Sequence, residues 1–198
     1  MVIVISADEI KKELLDYNPS RAEVFHRESA KKADKLFEEF LKSSQLSEVI
    51  LFNGGAASGK TEFLATHLQN KSCIIFDTTL STNEGAKIKI RNIYKSNKKA
   101  KIYSVIQDDL TRAFIAFLNR ERKFSDKHFY KTHSGSRKTL LWIAKQYPEI
   151  EITIIESSYT EKQILQFDKI NFDNLEQMIT YLESIQMSEN DIINSIHI

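Results

Sequence analysis

The sequence predicts an α/β fold in which a mostly parallel central sheet lies between layers of helices, and two features carry that prediction. Short apolar runs that suit buried strands alternate with amphipathic segments that suit helices; parallel strands need such crossovers on the faces of their sheet. The second feature is a glycine-rich stretch, Gly54 to Thr61, set between one such run and one such helix. A chain of 198 residues has room for one domain of this kind with modest extensions.

Taken in order, Ala7 to Ser44 read as helices, because Leu14, Leu15, Val24, Phe25, Leu36, Phe37, Phe40 and Leu41 recur at three-to-four spacing among charges. Asn18-Pro19-Ser20 interrupts them, with Ser20 as a cap. Val49 to Phe52 is a buried strand feeding a tight loop, and a helix should start near Lys60. Ser72 to Phe76 repeats the strand pattern and ends at Asp77. A helix over Glu84 to Lys95, a third strand over Lys101 to Ile106 and a helix over Asp109 to Arg120 follow. Glu121 to Gly135 reads as a polar loop or lid, Arg137 to Tyr147 as a helix stopped near Pro148, and Ile152 to Ile155 as a fourth strand. The acidic tail holds a helix over Leu175 to Ile185. The organisation expected is a single domain: an N-terminal helical segment (1–45) packed on a core (46–159) with a lid around 120–136, then a C-terminal helical extension (160–198).

Hydrophobic residues make up 41% and charged residues 28%, a balance suited to a folded globular domain rather than a disordered chain. No apolar run approaches the ~20 residues of a membrane span, and Met1 to Ile5 is too short for a signal segment. A lone cysteine, Cys73, has no internal disulfide partner and sits in a strand pattern. The cytoplasm is the expected compartment and no membrane partner is expected. Charge is unevenly spread: Lys87 to Lys138 holds 15 Lys/Arg against 4 Asp/Glu. An anion should bind there. Nucleotide phosphates suffice, and nucleic acid is the second option, since basic charge reports the sign of a partner and not its identity.

Gly54-Gly55-Ala56-Ala57-Ser58-Gly59-Lys60-Thr61 matches the Walker A pattern, in the strand-to-helix context that its mechanism requires. Glycines free the backbone to curl its N–H groups around a phosphate while the following helix points its positive end at the same anion. Lys60 should reach the β- and γ-phosphates of ATP, Thr61 should ligate Mg²⁺, and Glu62 follows in the first turn. The fold class expected is therefore the three-layer P-loop NTPase arrangement.

Asp77 closes the next strand, where sheets of this class present ligands. It fits a metal-organising acid, a base for an attacking hydroxyl, or a cap of the turn that Thr78 and Thr79 continue. Arg120 and Arg122, with Lys123 and Lys127 beyond them, suit a lid whose guanidinium forks stabilise the charge of a transferring phosphoryl group. His128, Tyr130, Thr132, His133, Ser134 and Ser136 crowd hydrogen-bonding groups among those cations, a composition suited to a polar acceptor, and Arg137 opens the helix after them.

Together the Walker segment, Asp77-Thr78-Thr79-Leu80, and Ala113-Phe114-x-x-Phe117-x-x-Arg120-Glu121 leading to Phe129 and Ser136-Arg137 resemble the zeta-toxin-like P-loop kinases, over roughly residues 49 to 157. That resemblance implies phosphorylation of a sugar hydroxyl of UDP-N-acetylglucosamine by ATP, and an antitoxin protein as partner. Many relatives interpose a further strand, bearing the substrate-activating Asp, between the Walker helix and the segment resembling Asp77-Thr78-Thr79-Leu80; here a short connection stands in its place. Phe25-His26-x-Glu28-Ser29-Ala30 resembles a His-x-Glu-Ser segment that such relatives carry after the Walker helix, which makes His26 and Glu28 candidate acceptor contacts.

The expected function is thus an ATP-dependent phosphotransferase acting on a small hydroxyl-bearing acceptor such as a nucleotide sugar. Lys60, Asp77, Arg120 and Arg122 are the expected catalytic residues, Thr61 and Asp77 the metal contacts, and His26, Glu28, Thr79, His128, Tyr130, His133 and Arg137 the acceptor contacts. Two alternatives stand beside it: a polynucleotide or nucleoside kinase, and a nucleotide-binding regulatory module without transfer chemistry.

Overall fold

Alternation along each strand sorts the sheet's side chains into two faces, and two separate apolar clusters lie against them. The computed structural model describes residues 1–161 and 164–197. Its strands are β1 (Ile3–Ser6), β2 (Glu48–Asn53), β3 (Ile74–Asp77), β4 (Lys99–Gln107), β5 (Glu151–Tyr159) and β6 (Leu165–Ile170). They form one sheet in the order β1-β3-β2-β4-β5-β6, parallel throughout except for β6, which runs antiparallel to β5. This is an α/β architecture compatible with a P-loop-type fold.

The helices are α1 (Ala7–Lys12), α2 (Ala22–Ser43), α3 (Lys60–Phe63, continued as a π-helical turn over Leu64–Leu68), α4 (Asn83–Lys95), α5 (Leu110–Leu118), α6 (Asp126–Gln146), α7 (Leu175–Ser184) and α8 (Glu189–Ser195). Val49, Leu51, Ile74, Phe76, Ile102 and Ile154 meet Phe37 and Leu41 of α2, Ile90 and Ile93 of α4, Leu140 and Ile143 of α6, and Leu182 of α7. On the opposite face Ile50, Phe52, Ile75, Tyr103, Val105 and Ile155 meet Phe63 and Leu68 of α3, with Phe167 of β6 alongside. A third cluster joins Leu110, Phe114 and Phe117 of α5 to Phe129 of α6, Ile192 of α8, and Ala56 and Ala57 of the loop after β2.

The structure departs from the sequence expectations in four places. The N-terminal run is the edge strand β1, paired in parallel with β3 through Ile3–Ile74 to Ser6–Asp77, so residues 1–45 are not purely helical. The cap at the break before α2 is Asn18, whose side chain accepts from the Ser20 amide at 2.9 Å, and not Ser20 itself.

The segment expected as a loop up to Gly135 is helical from Asp126 onward, and Arg137 lies mid-helix. Phe129, Thr132, His133, Ser136, Arg137 and Leu140 are buried at three-to-four spacing, so the helical period is written in polar residues that resemble a loop composition. Gly135 does not interrupt it: a Cβ there would come within 2.4 Å of the Ser81 carbonyl oxygen, so the glycine serves close packing.

Beyond residue 159 the chain returns as β6 before any helix. Its burial alternates weakly, as suits an edge strand with one face to solvent.

Candidate functional site

The carboxyl ends of β1, β3 and β2 open on one cleft of about 220 Å³. The loop after β2 forms its floor. Gly54 adopts φ 136° and its amide donates to the Thr79 carbonyl at 3.2 Å, with no space for a Cβ because the Val105 carbonyl oxygen would lie 2.3 Å away. The loop ends at Gly59, φ 90°, which caps α3. Asn53 anchors the strand end by donating to the carbonyls of Ser136 at 3.1 Å and Leu80 at 3.3 Å. Ser157 of β5 donates to the Ser58 carbonyl at 2.8 Å, so the loop is tied to both neighbouring elements.

Lys60 folds back over this loop. Its ammonium donates to the carbonyls of Gly54 and Gly55, each at 2.8 Å. Burial lowers its pKa to about 8, against the pull of the Asp77 carboxylate, the strongest counter-charge it feels. Burial in turn raises the Asp77 carboxyl above its ordinary value despite Lys60, and Ser6 donates to it at 3.4 Å. Thr61 is exposed and borders the cleft beside Lys60.

Asp8 is the residue that sequence reasoning missed. It stands at the start of α1, in the turn after β1, with its carboxylate 2.7 Å from Arg122 Nη1 and 3.0 Å from Lys11 Nζ. Burial pushes this carboxyl upward, but Arg122 and Lys11 together hold it below its ordinary value. Lys11 is itself fully buried, its ammonium 4.7 Å above the Phe124 ring. A signal was present in Ile3-Val4-Ile5-Ser6-Ala7-Asp8: an apolar run, then a serine that caps a helix with acids in its first turn. Its brevity and its partner strand's distance along the chain concealed it.

Arg120 and Arg122 both border the cleft, and burial together with the Arg122 charge lowers the Arg120 pKa. His26, Thr79 and His128 border it as well. His26 and His128 meet edge-to-face at 5.5 Å with Phe124 beside them. Burial and then the neighbouring His26 lower His128 to about 4, so its ring is neutral at physiological pH.

Four expected acceptor contacts lie elsewhere. Glu28 is exposed on α2 and pairs with Lys32 at 2.9 Å. Tyr130 stacks on Phe114 at 5.7 Å, away from the cleft. His133 and Arg137 are buried beneath the loop, 1% and 7% exposed, because their part of α6 packs there, a turn or more beyond His128. Gly54 and Gly55 likewise lie behind the cleft wall, which Ala56 to Thr61 form. Glu62 is exposed next to Thr61.

The donor set suits a magnesium ion shared with phosphates. The Thr61 hydroxyl and the Asp77 carboxylate both border the opening, and Mg²⁺ in phosphoryl-transfer sites takes one or two protein groups with substrate phosphates and water completing its shell. Among the described residues no group of three or more His, Cys, Asp or Glu could hold a metal by itself.

Strand, glycine loop and helix at the mouth of a parallel sheet border one cleft, an arrangement compatible with a P-loop-type fold. No protein-family model matches this chain, and no curated protein matches it. Solved structures of the AvrRxo1-ORF1:AvrRxo1-ORF2 complex do share its fold. The native complex aligns over 91% of this chain and 83% of that chain at 12% identity, with a TM-score of 0.51. The complex with sulphate ions aligns over 91% and 73% at 12% identity, TM-score 0.52. The complex with ATP aligns over 86% and 75% at 11% identity, TM-score 0.50. At such identity the likeness is one of fold.

Proposed function

We propose that this chain is an ATP-dependent phosphotransferase of the zeta-toxin-like type, moving the γ-phosphoryl group of ATP to a hydroxyl of a small acceptor. One observation carries the reading: Lys60 and Thr61 of the loop, Asp77 and Asp8 from two adjacent strand ends, and Arg120 and Arg122 all border a single cleft. The fold shared with a structure solved with ATP supports the donor. In this reading Ala56 to Thr61 cradle the phosphates, with Gly54 and Gly55 shaping the loop behind them, Lys60 exchanges its loop carbonyls for the phosphates, and Thr61 and Asp77 hold Mg²⁺. The metal, when bound, neutralises charge on the phosphate oxygens.

The two acids divide the work by position. Asp77 is the counter-charge to Lys60 and belongs with the donor. Asp8, from the end of the neighbouring strand, borders the cleft with His26 and His128, and Arg122 keeps it ionised, as a proton acceptor requires. Asp8 takes the acceptor's hydroxyl proton as that oxygen bonds to the γ-phosphorus. The bond to the bridging oxygen breaks and its electron pair departs with ADP. Arg120 and Arg122 stabilise the equatorial oxygens. In this reading β1 takes the part of the strand that the resemblance led one to expect after the Walker helix.

A nucleotide sugar remains the acceptor that the resemblance favours, and an antitoxin-like protein partner is supported by neighbours solved as ORF1:ORF2 complexes. Incubation with MgATP and a panel of UDP-sugars, nucleosides and oligonucleotides, read by mass spectrometry, tests the proposal. A gain of one phosphate on a small hydroxyl compound is expected. ATP binding without transfer to any member would favour a regulatory nucleotide-binding module instead.

A further inference from the structure

Consecutive residues of α6, Thr132 and His133, meet the same residue of the glycine loop. The Ala56 amide donates to Thr132 Oγ1 at 3.1 Å. The Ala56 carbonyl accepts from His133 Nε2 at 2.8 Å. Both side chains are buried, 4% and 1% exposed, so neither bond competes with water. Between them they fix the peptide planes on either side of Ala56.

The next residue shows why that matters. Ala57 has φ 63°, the left-handed region that residues with a Cβ avoid; such a conformation persists only where its surroundings over-determine it. The His133 ring also lies against Gly55, where a Cβ would come within 2.2 Å of it. Glycine at 55 is therefore required by contact with α6.

The histidine's own bonds assign its tautomer. With Nε2–H donating to Ala56, Nδ1 is left to accept from Arg137 Nη1 at 3.4 Å, and the same guanidinium nitrogen donates to the His133 carbonyl at 3.3 Å. Burial, and then the Arg137 charge, lower the His133 pKa to about 3, so the ring stays neutral. The same helix carries His128 to the cleft.

We propose that Thr132 and His133 are positioning residues of the phosphoryl-donor loop: by holding both polar groups of Ala56 they keep Ala57 left-handed and Gly59, Lys60 and Thr61 at the cleft. This rests on the donor-site reading above. It assigns to two residues of the expected lid a role beneath the loop, distinct from acceptor contact.

Calorimetric titration of MgATP into the wild type, His133→Phe, His133→Gln and Thr132→Val tests it, with melting temperatures measured in parallel to separate lost fold from lost loop geometry. Loss of one such hydrogen bond should weaken MgATP binding about tenfold in His133→Phe and in Thr132→Val. His133→Gln, whose amide can still donate to Ala56, should recover part of that affinity. Folded variants that bind MgATP within about twofold of the wild type overturn the inference, and if His133→Phe does not fold, Thr132→Val decides by the same criterion. Absence of heat with the wild type removes the donor site itself; intact wild-type binding with undiminished variants removes only the role of Thr132 and His133.

Discussion

The Asp8 carboxylate lies 2.7 Å from Arg122 Nη1, joining the first helix of the chain to the arginine-bearing segment after α5. Through this pair, residues far apart in the chain border one cleft. Lys11, buried against Phe124, completes the contact.

If Asp8 is the base and Asp77 the metal-organising acid, their amide variants should fail differently. Asp8→Asn should lower transfer by about 10²–10⁴-fold while MgATP affinity stays near wild type. Asp77→Asn should instead raise the magnesium concentration needed for half-maximal ATP binding. Stopped assays and calorimetry at several Mg²⁺ concentrations check both, and the opposite pattern would exchange the two roles.

Lys60→Met removes the ammonium that lies over the loop carbonyls and should reduce transfer by on the order of 10²–10³-fold or more. The fold should survive, because the side chain's burial disfavours its charge and methionine carries none. An unchanged rate in a folded Lys60→Met protein would refute the site.

The pH dependence of Lys60 has a definite sign. Its folded-state pKa, about 8, lies below the ordinary 10.5, so between those values the unfolded chain binds more protons than the native one, and the Lys60 contribution to stability rises with pH across that window. Binding a triphosphate needs the charged form, so MgATP affinity should fall as pH climbs past about 8. Urea unfolding and titrations from neutral to alkaline pH, compared with Lys60→Met, isolate the effect.

Gly135→Ala sets two effects against each other. Alanine within a helix gains up to about 1 kcal/mol over glycine, but its Cβ would come within 2.4 Å of the Ser81 carbonyl oxygen, which is backbone and cannot turn aside. Overpacking of this kind costs about 1–3 kcal/mol. Net destabilisation is expected, read as a lower urea midpoint; a raised midpoint would show that α6 is not pinned to the chain before α4.

Much of the fold was legible because its signals are local. The apolar run Val49 to Phe52, the glycines after it and Lys60-Thr61 are contiguous, and a strand–loop–helix specifies itself within about a dozen residues. Asp77 followed in the same way, from a strand end. The edge strands β1 and β6 were missed because each shows solvent along part of its length, which weakens its period. Helix α6 was cut short because its buried face is built from Thr132, His133, Ser136 and Arg137, polar residues whose burial depends on partners in the loop after β2.

The sequence by itself determined the alternation of strands and helices, the glycine loop and the identity of its lysine and threonine, since each is written in neighbouring residues whose conformational preferences agree. Only the tertiary structure decided that Asp8 faces the cleft, that Glu28 and Tyr130 do not, and that His133 supports the loop from below. Those positions follow from pairings between segments far apart in the chain, Ile3 with Ile74 and Ala56 with His133, and no local preference encodes which distant surfaces will meet.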